Sequence, residues 1–90
     1  MFLFDIYYDK RFGKIVASAL KYNNRLYIGK NHAECFIQEP KGVLRGAEQG
    51  FITENNIFVG RKKALKIARH YNQIKHKHFP QNELFSEDLL

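Results

Sequence analysis

The sequence predicts a small α+β domain of ββαββα order: two β-hairpins forming one antiparallel sheet, with two helices packed on one face. Three observations predict it. Asn-Asn pairs at 23–24 and 55–56 each sit between strand-like runs. Each second run ends in a Gly, at 29 and 60, and each Gly leads into a helix pattern. The stretches "NNRLYIGKNHAECF" and "NNIFVGRKKALKI" therefore share one layout, 32 residues apart. Internal duplication and the ordinary frequency of hairpins both account for this likeness, and the element order follows from either.

The elements follow in turn. Residues 14–22, "KIVASALKY", form the first strand and 25–29, "RLYIG", the second. Asn tolerates positive φ, which a two-residue hairpin loop requires. Asn31 is a helix cap with Glu34 three residues on, and Pro40 closes the segment, so the spacing predicts a helix over 32–39. Residues 41–50, with three Gly, read as a loop. Strands at 51–54 and 57–59 flank the second Asn-Asn loop. A second helix runs from Arg61 to Gln73 or Lys75, with Ala64, Ile67, Ala68 and Tyr71 on its apolar face and Leu65 and Ile74 widening it. Lys62, Lys66, Arg69 and Gln73 face away.

Ninety residues make a single domain over 1–90. Residues 1–13 read as an N-terminal extension or strand, and 79–90 as an acidic tail. A chain this short buries about 60–65% of its unfolded surface. Its 13 Phe and Tyr residues point to a homodimer or higher homo-oligomer. The start lacks a basic n-region, Asp5 interrupts its apolar run, and no run reaches membrane-spanning length. A soluble protein of a cell's cytoplasm is expected, and the single Cys35 suits a reducing compartment.

Charge is unevenly placed. The chain carries +6, yet residues 61–78 hold seven Lys or Arg and no acid, leaving −1 for the rest. The last twelve residues hold three acids and no base. This division implies an anionic partner, or pairing of tail and helix within an oligomer.

The second helix opens with Arg61, Lys62 and Lys63, where the helix dipole is already positive. Two readings are open here. The three side chains are solvated and screened, or an anion completes the site through backbone N–H groups and a guanidinium. Gly60 would let such a ligand approach, and Gly29, Lys30, Asn31 and His32 form a paler copy in the first unit. No Walker or dinucleotide loop is present. His32 and Cys35 lie one turn apart, but a structural thiol is the better reading of a lone Cys. His76 and His78 read as exposed and polar. No catalytic constellation, metal signature or cofactor motif is found, so a non-enzymatic protein is expected. The basic stripe of Lys62, Lys66 and Arg69, with Tyr7, Tyr8 or Phe51 as exposed aromatics, also fits a small nucleic-acid-binding protein.

Over residues 14–90 the chain resembles a group of short phage-encoded proteins. The shared pattern is Tyr-x-Gly-x-x-His-x-x-Cys at 27–35, Gln-Gly-Phe at 49–51 and Phe-Val-x-Arg-x-x-Ala at 58–64, then Gln-Ile at 73–74 and Ser-Glu-Asp-Leu at 86–89. The group includes the anti-Thoeris sponge proteins, which capture cyclic ADP-ribose isomers without cleaving them. The resemblance implies an α+β homo-oligomer in the host cytoplasm, with pockets at subunit interfaces and cyclic oligonucleotides as further ligands. It implies Gln49, Phe51 and Arg61 as binding residues, Phe51 stacking and Arg61 on phosphate. Lys62, Lys63, Gly60, Lys30 and His32 complete the expected ligand-binding set. His32 and the Ser86–Asp88 acidic motif match the pattern and are open to a structural role. Two departures stand out: Gly60 and Lys63 replace acids that flank the motif arginine in the group, and the first thirteen residues have no counterpart.

Overall fold

In a computed structural model, the protein is described over residues 12–77, 79 and 81–89. Apart from Phe12 and Gly13, the expected N-terminal extension lies outside these residues, as do Tyr7 and Tyr8. Strands β1 (Ile15–Tyr22) and β2 (Arg25–Gly29) lead into helix α1 (His32–Phe36). Strands β3 (Glu48–Thr53) and β4 (Phe58–Gly60) lead into helix α2 (Arg61–His70), and a 3₁₀ turn follows at Ser86–Leu89. The result is a small α+β fold with one antiparallel sheet, in the order β2-β1-β3-β4. Among the described residues no helix is long and apolar enough to cross a membrane.

The two hairpins close differently. Asn23 and Asn24 both adopt positive φ, 51° and 63°, and Tyr22 pairs with Arg25 across a two-residue loop of the I′ kind. The second loop spans three residues, 54–56, because Thr53 N–H bonds to the Ile57 carbonyl at 3.0 Å. Only Asn56 is left-handed there, and Thr53 Oγ1 accepts from the N–H groups of Asn55 and Ile57. An asparagine is needed in both loops, but at one position in the second and at two in the first.

Three boundaries differ from the sequence expectation by more than one residue. Helix α1 stops at Phe36, and beyond it the Gln38 amide donates to the Ile28 carbonyl of edge strand β2 at 2.8 Å. Helix α2 stops at His70 because Asn72 turns left-handed (φ 55°). Asn72 N–H then bonds to the Arg69 carbonyl and Gln73 N–H to the Ala68 carbonyl, the pairing of a Schellman motif. Strand β3 begins at Glu48, so Gln49 and Gly50 belong to the sheet rather than to a loop.

Strand alternation and register sort the side chains. Ser18 pairs with Phe51 and Leu20 with Gln49, so these four share one face. Phe51 joins Val59, Leu84 and the buried Ala64, Leu65, Ile67 and Ala68 of α2 in the main core cluster. Leu20 joins Cys35 of α1 and Leu44 in a second cluster. Gly50 has no room for a side chain: a Cβ would overlap the Val59 carbonyl oxygen and come within 2.6 Å of the Phe58 ring. At Gly60 the nearest atom would be 3.7 Å away, so that glycine is not forced by crowding.

The segment after α2 is bonded back to β1 and to itself at several described residues. The Gln73 side-chain amide takes both backbone groups of Ile15, at 3.0 and 2.8 Å, as a neighbouring strand residue would. Lys75 N–H bonds to the Asp88 carbonyl at 2.8 Å. The Asp88 carboxylate, fully buried, accepts from Phe85 N–H (2.9 Å) and from Lys77 Nζ (3.2 Å).

Leu84→Ala should destabilise the fold by about 2–5 kcal/mol, since it empties a fully buried position that anchors the tail. Gly50→Ala should cost about 1–3 kcal/mol or more, whereas Gly60→Ala should stay within about 1 kcal/mol. Denaturant unfolding of the three variants checks this order.

Candidate functional site

The Gly50–Gly60 pairing sets the next residue, Arg61, beside Gln49 of β3. Arg61 is the first residue of α2, and the capping position Gly60 offers no side-chain hydrogen bond. Its guanidinium instead binds two other elements. Nη2 donates to Gln49 Oε1, and Nη1 donates to the Leu84 carbonyl at 2.7 Å. The guanidinium lies over the Phe85 ring, its Cζ 4.0 Å from the ring centroid. Leu84 N–H returns a bond to the Arg61 carbonyl at 3.0 Å. Burial lowers the Arg61 pKa, while the carboxylates of Glu83, Glu87 and Asp88 raise it; the group remains a cation.

The tail of the same chain lies against Arg61 through the Leu84 bonds, and the carboxylates of Glu83, Glu87 and Asp88 act on the guanidinium. Lys62 and Lys63 are exposed, and Lys63 Nζ sits 4.9 Å from the centre of the Phe12 ring.

His32, the first residue of α1, faces Arg61 across the tail. The Gly50 carbonyl can only accept, so His32 Nε2 carries the proton and donates to it at 2.8 Å. Nδ1 then accepts from the Ser86 hydroxyl at 3.2 Å, and the same Ser86 oxygen accepts the His32 backbone N–H at 3.4 Å. Burial is the largest influence on the imidazole and lowers its pKa. The bond to Gly50 raises it, nearby Arg61 lowers it and Glu87 raises it. His32 is thus neutral at physiological pH. Cys35 is fully buried, and burial followed by the charge of Glu34 pushes its thiol upward, so it is held as an inert structural thiol.

Together these groups border a pocket of about 330 Å³, lined among others by Asn31, His32, Gln49, Arg61, Phe85 and Glu87. The fold thus brings three of the expected residues, His32, Gln49 and Arg61, to one cavity. The others lie elsewhere. Phe51 is a correction: it is fully buried, edge-on to the His32 ring at 5.1 Å, and supports the pocket from beneath without a free face for stacking. Lys62 and Lys63 do not line the cavity, Gly60 only precedes Arg61, and Lys30 borders a neighbouring pocket. Sequence reasoning missed Phe85, the aromatic that does border the pocket, and the Gly50 carbonyl. An aromatic next to the Ser-Glu-Asp-Leu motif was the available signal for the first.

Among the described residues the cavity presents hydrogen-bonding amides, one guanidinium, an aromatic ring and one carboxylate. Among the described residues no cluster of three or more His, Cys, Asp or Glu side chains is placed to hold a metal. The Ser86–His32 pair lacks a carboxylate on the second ring nitrogen, and its hydroxyl is buried.

A lowered histidine pKa means that the unfolded chain binds more protons than the folded one just below the ordinary value of 6.5. The His32 contribution to stability is therefore complete above that value, and is lost as pH falls through the lowered folded value. Thermal unfolding of wild type and His32→Gln at about pH 7.5 and about pH 5 should show the stability gap between them narrowing at the lower pH. A constant or widening gap would contradict the assignment.

Comparison with known proteins adds one positive finding. No curated protein and no solved structure matches the chain. Residues 14–90 match the family described as Phage T4 y16D protein. That span takes in every strand and helix described above, together with the tail that completes the pocket. The chain belongs to the phage T4 y16D protein family.

Proposed function

We propose that the protein is a phage counter-defence sponge. It binds cyclic nucleotide immune signals, cyclic ADP-ribose isomers or cyclic oligonucleotides, in the host cytoplasm, and lowers their free concentration without cleaving them. The observation that carries this reading is the convergence of Arg61, Gln49 and His32 on one cavity beside Phe85. Arg61 over Phe85 offers a cation and an aromatic ring for a nucleobase to pack against, and Asn31 and Gln49 offer amides to its polar edge. Arg61 has five N–H groups, and its two bonds leave donors for ligand oxygens.

The pocket lies near the lower end of the 300–1,000 Å³ range of small-molecule sites, so one copy encloses only part of a macrocyclic nucleotide. This supports a homo-oligomer in which a second copy closes the site. The exposed Phe36 and Ile37, which line a cleft of about 620 Å³, also favour self-association.

A second reading has its own observation. Lys62, Lys66 and Arg69 are exposed along α2, as a nucleic-acid-binding face requires. The two separate in a thermal-shift titration at about 150 mM salt, with cyclic ADP-ribose isomers, cyclic di- and trinucleotides and a DNA duplex. A sponge ligand at a hundred times its Kd adds about 2.7 kcal/mol, a rise of about ten degrees or more for a domain of this size. Arg61→Ala should weaken that ligand by about 1.5–3 kcal/mol, read as the ligand-dependent rise over the variant's own midpoint. A response to duplex alone, fading steeply with salt, would transfer the function to the α2 face.

A further inference from the structure

A second cavity, of about 370 Å³, lies across Ser86 from the Arg61 pocket; Ser86 lines both. Its walls come from the first half of β1, from Lys30 at the β2–α1 junction and from Lys75 after α2. Strand β2 ends at Gly29 opposite Ser18, so residues 15–17 have no β2 partner. Gln73 fills that place at Ile15 with its amide. The register shift between Ile15 and Ala17 marks a bulge at Val16, and bulges recur where a strand edge is turned towards a site.

The charges of this cavity differ from those of its neighbour. Lys30 and Lys75 both line it, and among the described residues no Asp or Glu does. Each lysine is fixed at its backbone. Lys30 N–H is held by the Glu34 carboxylate at 3.0 Å, and its carbonyl accepts from Ser18 at 3.5 Å. Lys75 N–H is held by the Asp88 carbonyl at 2.8 Å. Neither ammonium has an ion-pair partner among the described residues. The Arg61 pocket, by contrast, offsets its guanidinium with Glu87 and with bonds already made to Leu84 and Gln49. A dianionic group gains more between two unpaired ammoniums than beside a guanidinium faced by a carboxylate.

We propose that the Lys30–Lys75 cavity binds phosphate or diphosphate groups. On the sponge reading, on which this extension rests, the nucleotide straddles Ser86, with its phosphates between the two lysines and its base and ribose against Arg61 and Phe85.

The test is isothermal titration of wild type, Lys30→Gln/Lys75→Gln and Arg61→Ala with three probes: inorganic pyrophosphate, ADP-ribose and adenosine. Both lysines are exposed, so the double variant keeps the fold, which its unfolding midpoint checks. Pyrophosphate and ADP-ribose should each bind about tenfold or more weakly to the double variant, while adenosine is unaffected by it and weakened by Arg61→Ala. Pyrophosphate affinity that is unchanged in the double variant, or undetectable in wild type, would overturn the phosphate site. Pyrophosphate binding lost in the double variant, with no adenosine or ADP-ribose binding that depends on Arg61, would keep the phosphate site and remove the sponge reading.

Discussion

The reciprocal bond between Arg61 and Leu84 is the contact on which the rest of the structure depends. The guanidinium donates to the Leu84 carbonyl, and Leu84 N–H donates back to the carbonyl of Arg61. Leu84 is fully buried in the cluster that holds Phe51 and Ile67, so the apolar side chain and the polar backbone are fixed by one docking event. Once Leu84 is seated, Phe85 lies under the guanidinium and Ser86 reaches His32. Asp88 then closes on Phe85 N–H and Lys77. The charge of Arg61 is thus offset locally by Glu83, Glu87 and Asp88, and that of Lys77 by Asp88.

This constraint also shapes the chemistry. Because both nitrogens of His32 are engaged and its pKa is lowered, the imidazole acts as a neutral strut between the sheet and the tail. The cavity between the strut and Arg61 is held by bonds from four elements: α1, β3, α2 and the tail. A preorganised pocket of this kind suits tight capture, since less side-chain freedom is lost on binding.

Much of the fold was legible in the sequence, and for physical reasons. The Asn-Asn pairs announced both loops because asparagine accepts left-handed backbone, and the helix at Arg61 announced itself through Ala64, Ile67 and Ala68. The boundaries were less legible. Gly50 looked like loop punctuation because a glycine's reason for being in a strand, here the closeness of Val59 and Phe58, is a tertiary fact. Asn72 was absorbed into the helix because its neighbours continue the apolar period. Of the residues that line the Arg61 cavity, Arg61 and His32 stood out in the sequence at the two helix starts, and Gln49 through motif likeness alone. Phe51 was placed wrongly because a strand phenylalanine carries no label for which face is covered. Phe85 and the folding-back of the tail rest on contacts more than twenty residues apart, such as Arg61 to Leu84, which no local pattern encodes.

The most direct measurement is a two-dimensional amide NMR titration of the protein with a cyclic ADP-ribose isomer at physiological salt. The account predicts that perturbed backbone resonances cluster at 30–33, 49–50, 61 and 84–87, the segments that border the two cavities joined at Ser86. Perturbations confined to the exposed face of α2 around Lys62, Lys66 and Arg69, or none under saturating ligand, would contradict it.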